Sequence, residues 1–396
     1  MEIKDFGVLA GVKVVSATTV VAGPFAAGLL AENGAEVIQI EHPRVPDTGK
    51  AFGKLYHAEH RNARSLSADM KQEEGKEIFR KLIVDTDIFI ESSRPGSWDR
   101  LGFSDEKLWD INPALVIVHM SGYGGFGDEQ YVSKAAYDMI GQGFSGTLAL
   151  NGFSDQPLYS KPYSCDYYAG FSAAFGAVSA LLRARETGKG ESIDVAMFET
   201  MARLQAGYSV EGLTDGIQPK RMGNSDAIAA IDVVFKSKDD KWVVLAIANP
   251  NQKWIEAIGL NDDPDFNPIS FVAWGQPRAD KYVEYTHRFA ESHTMEELLS
   301  IADETGMAAC PVMDYEQIKN NSHYRARNTI IEWFDPSTQS TLTGITSIPR
   351  FKNRPGEIFR GSPTLGMDNE DILQGLGYSA DEIASLTSKG VLGQSK

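Results

Sequence analysis

Short β-branched runs and amphipathic stretches alternate through the first half of the chain. "VKVVSAT" (Val12–Thr18) predicts a strand, "GPFAAGLLAENG" (Gly23–Gly34) a helix with Pro24 near its first turn, and "AEVIQIE" (Ala35–Glu41) a second strand. "EEGKEIFRKLI" ahead of "TDIFIE" (Thr86–Glu91), and "SDEKLWDI" ahead of "ALVIVHM" (Ala114–Met120), repeat the helix-then-strand rhythm. Near-continuous apolar strands separated by helices predict a parallel sheet covered on both faces, an α/β domain of the doubly wound kind.

Later the rhythm changes. "AAIDVVFKSKDDKWVVLAIAN" (Ala229–Asn249) reads as a hairpin turning at Lys238-Asp239-Asp240, followed by a helix from about Asn251 to Ile258. "TMEELLSIADETG" opens with a capping box, Thr294 with Glu297, and the tail has helix starts at Asp368 and at Ser379, the latter boxed with Glu382. The expected organisation is a large α/β domain from both chain ends, residues 1–225 and 325–396, around a small α+β domain at 226–324. Neither an internal repeat nor a low-complexity tract interrupts it.

Composition narrows the setting. The 396 residues are 42% apolar and 23% charged, ordinary values for a globular protein. A net charge of −16 argues against general binding to nucleic acid or anionic membranes, because phosphates are repelled. It leaves room for one anionic ligand held by a local basic patch. Two cysteines, Cys165 and Cys310, make no disulfide framework and fit a reducing cytoplasm. "MEIKD" carries two acids where a secretory signal has a basic flank. The uncharged run Val14–Ala31 approaches a membrane span in length, but its Ser16, Thr18, Thr19 and central Gly23-Pro24 favour strand-turn-helix. A soluble cytoplasmic protein is expected.

Three features suggest chemistry that their context does not support. The turn after the first strand, "VVAGPF", lacks the glycine fingerprint of a dinucleotide site. "GYGGFG" (Gly122–Gly127) matches that fingerprint but leads into polar "DEQYVSK" rather than an apolar helix, so a mobile loop near a site is expected there. "HAEH" (His57, His60) has no third ligand nearby and reads as two surface imidazoles; His119, inside an apolar strand, reads as a satisfied core histidine. Basic residues gather at "RNARSLSADMK" (Arg61, Arg64, Lys71) and "SSRPGSWDRLGF" (Arg94, Arg100), beside strands whose carboxyl edge is the usual ligand crevice. They are either a phosphate patch or scattered solvated charges.

Asp166, in "YSCDYYAGFSAAFGAVSALL" (Tyr163–Leu182), stands at the entrance to an almost wholly apolar helix. One reading is a helix N-cap. The other is a carboxylate partly stripped of water, kept ionised by the helix N-terminus and able to attack a carbonyl. Ala169, Gly170, Ser172, Ala173, Ala174 and Gly176 permit close approach of backbone or ligand, and Tyr163, Tyr167 and Tyr168 supply aromatic walls.

"AGPFAAGLLAENGAEVIQIE", "RPGSWDRLGF", "NPALVIVHMSGYG", "YDMIGQGFSG" and "ETGKGESIDVAMFE" resemble, in order, the class III CoA-transferases, the CaiB–BaiF family. The likeness runs from near Phe6 to "GYSADEIASLTSKG". "AYDMIGQGFSG" and "FKNRPGEIFRGSPTLGMD" give it a particular resemblance to carnitine and bile-acid CoA-transferases. The resemblance implies that Asp166 is the catalytic carboxylate and that Val20, Val21, Lys71, Ser92, Ser93, Arg94 and Arg100 hold CoA. It makes Tyr137, Asp138, Tyr163 and Tyr167 candidates for the substrate pocket. It implies coenzyme A as acyl-CoA substrate, no metal, no redox nucleotide and two chains interlocked as a homodimer. His42 replaces a basic residue that formyl-CoA transferases carry after the second strand's acid, and "AIANPNQKW" replaces their glycine-rich loop, which points toward larger acids. The related α-methylacyl-CoA racemases carry a histidine base where this chain has Tyr137, a poor base with an ordinary pKa near 10. The tyrosines could cage a trimethylammonium group or line an apolar pocket for a bile acid.

Overall fold

The apolar runs become strands buried on both faces. In the computed structural model, which describes residues 5–45 and 47–393, six strands form one sheet. They are β1 (Lys13–Ala17), β2 (Glu36–Glu41), β3 (Arg64–Ser67), β4 (Ile88–Glu91), β5 (Val116–Ser121) and β6 (Ser192–Ala196). Their spatial order is β3-β2-β1-β4-β5-β6, and every neighbouring pair is parallel. The Met1–Lys4 part of the acidic opening lies outside the described residues.

Alternation along each strand divides the core in two. Val14, Ile88, Ile90, Val116 and Val118 face one layer, with the helices Ala22–Glu32 and Ser164–Thr187. Val15, Phe89 and Ile117 face the other, with Ile78 and Phe79 of the Glu73–Ile83 helix and Leu373 and Leu386 of the tail. The run Val14–Ala31 is therefore β1, a turn and a helix. Among the described residues no helix is long and apolar enough to cross a membrane.

β3 lies at the sheet edge, where free N–H groups invite unwanted pairing. The returning C-terminal segment occupies them. The Ser65 N–H donates to Asp368 Oδ2 at 2.8 Å and the Ser67 N–H to Asn369 Oδ1 at 2.9 Å. Arg360 grips the same Asp368 carboxylate through both Nη atoms at 3.1 Å.

Two compact units emerge. One comprises residues up to Thr147, Ser160–Leu213 and Ala326 onward; the other comprises Leu148–Tyr159 and Thr214–Arg325. The second unit holds the hairpin read from the sequence, Val234–Lys236 against Trp242–Ala246, extended by Ala308–Pro311 into a three-stranded antiparallel sheet. Its helix Met295–Thr305 begins with the Thr294–Glu297 capping box. It also takes in residues 148–159 and 214–225, for which the hydrophobic pattern gives no sign.

"HAEH" requires a correction. Neither histidine is a surface imidazole: His60 is buried, its ring stacked on Tyr56 with centroids 3.9 Å apart, and its Nδ1 lies 2.8 Å from the Tyr56 carbonyl. Burial, aided by the charges of Lys50 and His57, pushes its pKa down to about 4. His57 is half-buried against Ser362 Oγ at 2.7 Å. Among the described residues no three His, Cys, Asp or Glu side chains converge as a metal site would.

Candidate active site

The strand order reverses between β1 and β4, and the crevice at the carboxyl ends of two such strands is where doubly wound sheets bind ligands. The turns leaving these strands meet there. Ser92 Oγ accepts the Thr19 N–H at 3.1 Å, and both Asp47 carboxylate oxygens accept the Val20 N–H, at 3.1 and 3.2 Å. Val20 has φ 72°, a left-handed conformation in which a β-branched residue is strained by roughly 1–3 kcal/mol. Such strain persists only where surrounding bonds enforce it, as Asp47 does here.

The helix carrying Asp166 starts beside this crevice. The Phe25 and Tyr167 rings meet edge to face at 4.8 Å. A Cβ on Gly170 would lie 2.6 Å from Phe25 Cδ1 and 2.9 Å from the Ala22 carbonyl oxygen. The small residues of this helix thus serve helix packing: Ala169, Gly170, Ala173 and Ala174 are buried, with Ala169, Ala173 and Ala174 in the core shared with the Ala22–Glu32 helix.

Asp166 is not the N-cap. Tyr163, itself at φ 54°, holds that position, and Asp166 is the third residue of the helix. The capping acceptor comes from another helix, Asp138–Phe144: Asp138 Oδ1 takes the N–H groups of Cys165 at 2.7 Å and Asp166 at 3.3 Å. Gln142 Nε2 donates to Asp138 Oδ2 at 2.8 Å. Asp138 is 1% exposed and Asp166 7%. Among the described residues no donor bonds the Asp166 carboxylate. Burial first, and the Asp138 charge second, push the Asp166 pKa up to about 7. The helix N-terminus therefore does not hold Asp166 ionised as the sequence suggested, because its N–H groups are spent on Asp138.

The neighbouring aromatic residues point in different directions. Tyr163 tilts against Phe52 at 5.9 Å, Tyr168 is exposed, and Tyr137, at the N-cap of the Asp138 helix, is 60% exposed. The Tyr167 hydroxyl donates to Glu59 Oε1 at 2.9 Å. Burial raises Glu59 to about 7 despite that bond and the nearby Arg61 charge. Cys165 is buried, with its Sγ donating to the Met197 carbonyl at 3.4 Å; burial, then the Asp138 and Asp166 charges, keep it a thiol.

Cations line the carboxyl edge on both sides of β1. Arg94 and Arg100 follow β4 and are exposed, with Arg100 Nη2 donating to Ser97 Oγ at 3.0 Å. Ser93 is tied back, its N–H donating to Glu91 Oε2 at 2.7 Å. Lys71 follows β3; its N–H donates to Asp69 Oδ1 at 3.0 Å, and Arg44 Nη2 reaches Asp69 Oδ2 at 3.0 Å. Arg44 follows β2, two strand spacings or about 10 Å from β4. His42 is fully engaged: Nδ1 accepts the Arg44 and Val45 N–H groups at 3.0 and 3.1 Å, and Nε2 faces Asp69 at 3.4 Å. Arg44 and Asp47 were not singled out from the sequence. The signal for Arg44 was a basic residue displaced two places along from His42 by Pro43. His119 lies between Glu91 Oε1 at 2.8 Å and Asp105 Oδ1 at 3.0 Å. Burial opposes its charge, but these two carboxylates outweigh it and raise His119 to about 10.

Comparison with known proteins agrees with this architecture. Residues 9–369 match CoA-transferase family III. The chain belongs to that family. As a class III CoA-transferase, the enzyme takes acyl-CoA substrates. It is 38% identical over 395 residues to the bile acid CoA-transferase BaiK of Clostridium scindens, covering 98% of this chain and 90% of that one. It is 37% identical over 404 residues to the L-carnitine CoA-transferase of Proteus mirabilis, covering 98% and 97%. A CaiB/BaiF family protein from Brucella suis superposes with a TM-score of 0.79 at 27% identity, over 94% of this chain and all of that structure. The six-stranded parallel sheet with small antiparallel sheets is thus the family's fold. Of the site residues expected from the sequence, the structure gathers Val20, Val21 and Ser92 at the switch point and Asp166, Asp138, Tyr163 and Tyr167 at the adjoining helix start. Lys71, Arg94 and Arg100 stand along the rim.

Proposed function

We propose that this CoA-transferase moves CoA from an acyl-CoA to a free carboxylic acid, with Asp166 as the group that is acylated. The supporting observation is a buried carboxylate with unengaged oxygens, beside the switch-point crevice and tuned to titrate near neutrality. A carboxylate oxygen attacks the thioester carbonyl; the C–S bond breaks, giving a mixed anhydride and CoA thiolate. The thiolate attacks the Asp166 carbonyl, forming an aspartyl-CoA thioester and releasing the donor acid. The acceptor carboxylate repeats the exchange through a second anhydride. No net proton moves, and one thioester replaces another. Asp166→Asn therefore abolishes turnover with the circular dichroism spectrum unchanged, and hydroxylamine with acyl-CoA marks the Asp166 peptide as a hydroxamate by mass. Retained turnover would remove Asp166 from the mechanism.

The acceptor is proposed to be a carnitine- or betaine-type acid. The L-carnitine enzyme is matched over nearly its full length. The similar identity of the bile-acid enzyme, 38%, favours a second reading, a steroid acid. Assaying carnitine, crotonobetaine and cholate with one acyl-CoA donor separates the two. Val20, Val21 and Ser92 would hold the pantetheine arm, and Lys71, Arg94, Arg100 and Arg44 the phosphates, Arg44 standing in for His42. Arg44→Ala then raises KM for CoA esters but not for 3′-dephospho-CoA esters; equal effects on both would refute the assignment.

A homodimer in a cytoplasmic setting completes the proposal. Tyr168, Phe171, Phe175 and Leu182 are exposed along one stripe of the Ser164–Thr187 helix, opposite its buried small residues, and a large apolar stripe marks a contact surface.

A further inference from the structure

The glycine-rich loop after β5, with the starts of two helices, borders a cavity of ≈ 240 Å³. Tyr123, Phe126, Tyr131, Phe144 and Phe198 supply its aromatic surface. The Tyr123 ring lies 5.6 Å from Tyr131 and 5.0 Å from Phe144, and Phe144 lies 5.1 Å from Tyr131 and 5.0 Å from Phe198. Three carboxylates, Asp128, Asp194 and Glu199, share the lining. We propose that this cavity binds a quaternary ammonium group, the head of a small organic cation.

Charge and aromatic surface point the same way. Asp128 Oδ1 accepts the Gln130 N–H at 2.9 Å and Asp194 Oδ1 the Gly125 N–H at 2.9 Å; these bonds fix the loop without neutralising either acid. Among the described residues no lysine or arginine forms an ion pair with Asp128, Asp194 or Glu199. Charged His119 acts on Asp194, but Asp128 and Glu199 have no ion-pair partner among the described residues, and an anion would be repelled. A compact alkylated cation meets both demands: its charge answers the acids, and its methyl groups lie on ring faces that attract cations. The Tyr131 ring already makes such a contact, with Lys134 Nζ 4.2 Å from its centroid. The glycines explain how the loop reaches the acid: Gly124 has φ 86°, and a Cβ there would lie 3.0 Å from Asp194 Oδ2.

This cavity is separate from the acyl-transfer site. Phe144 lies six residues, about 9 Å, along its helix from Asp138. Between them Gly141 packs against Cys165 Sγ and Met197, so the cage stands beyond the layer that backs Asp166. The proposal therefore holds whichever acid is the acceptor.

Calorimetric titration of the full chain with tetramethylammonium, choline and 3,3-dimethylbutan-1-ol, the neutral carbon isostere of choline, tests it. Choline has no carboxylate and cannot act as an acceptor. Both cations bind, and the alcohol binds about ten-fold more weakly. Phe144→Ala abolishes the heat. Glu199→Gln, a surface change that preserves shape, weakens it several-fold even if the aromatic variant folds poorly. Asp166→Asn leaves it unchanged, which distinguishes this site from acyl transfer. Equal binding of the alcohol, cation binding indifferent to Phe144 and Glu199, or no heat at millimolar ligand would each overturn the proposal. So would a Phe144→Ala chain that changes oligomeric mass and in which the cation titration is unaltered, since the rings would then be a subunit contact.

Discussion

Asp138 and Asp166 share one helix start. Asp138 takes its N–H groups, and Asp166, left with burial and a like charge, rises to about 7. If the ionised carboxylate is the nucleophile, kcat rises with pH through that region, because protonated Asp166 cannot attack. Asp138→Asn removes the repelling charge but keeps an oxygen for the Cys165 N–H. The acidic limb of the pH profile should then move to lower pH, with CoA affinity little changed. An unmoved limb would show that the Asp138 charge does not tune the site. Asp166 was legible in the sequence because a lone acid before an apolar helix is conspicuous. Its division of labour with Asp138 was not, since the partner lies 28 residues earlier and only the fold brings it to the helix end.

At the scale of elements, the Ser164–Thr187 and Ala22–Glu32 helices set the distance between Asp166 and the crevice. At Gly170 they approach closely, with the Ala22 carbonyl and the Phe25 ring both within reach of an added Cβ. Gly170→Ala forces the helices apart, and overpacking of this kind costs about 1–3 kcal/mol. Urea unfolding should show that loss, and, if Asp166 is the acylated group and the basic rim holds the phosphates, turnover should fall more than KM rises, because Asp166 moves while the rim stays. A variant of wild-type stability and activity would refute the tight contact. Elements with strong local signals were readable: β1, β2, β4 and β5, the hairpin at Lys238–Asp240, and the capping boxes at Thr294 and Ser379. β3 and β6 were not, since "RSLS" and "SIDVA" are short and half polar. Each is a strand because its neighbour supplies a ladder: Ile38 to Glu41 for β3, and Ile117 to Ser121 for β6. The pair Ile330–Asp335 and Ser340–Ile345, a separate antiparallel hairpin, was also not read.

For the whole molecule, the exposed stripe on the Ser164–Thr187 helix matters most. Phe175 is 77% exposed at its centre. If two copies meet there, Phe175→Glu buries a charge in the contact, and sedimentation should show a shift from dimer to monomer; an unchanged mass would place the interface elsewhere. Some of this was settled by the sequence alone. Alternating apolar runs imposed a doubly wound sheet, and ordered motifs along the chain identified the family. The tertiary structure decided what each polar group faces. It excluded the cap reading of Asp166 and left a bare carboxylate, engaged His42 on Asp69 and brought Arg44 forward, and buried His60 against Tyr56. The physical reason is range. Strand and helix patterns arise from near neighbours and so are written locally, whereas a side chain's charge state and free partners depend on burial and on groups tens of residues away.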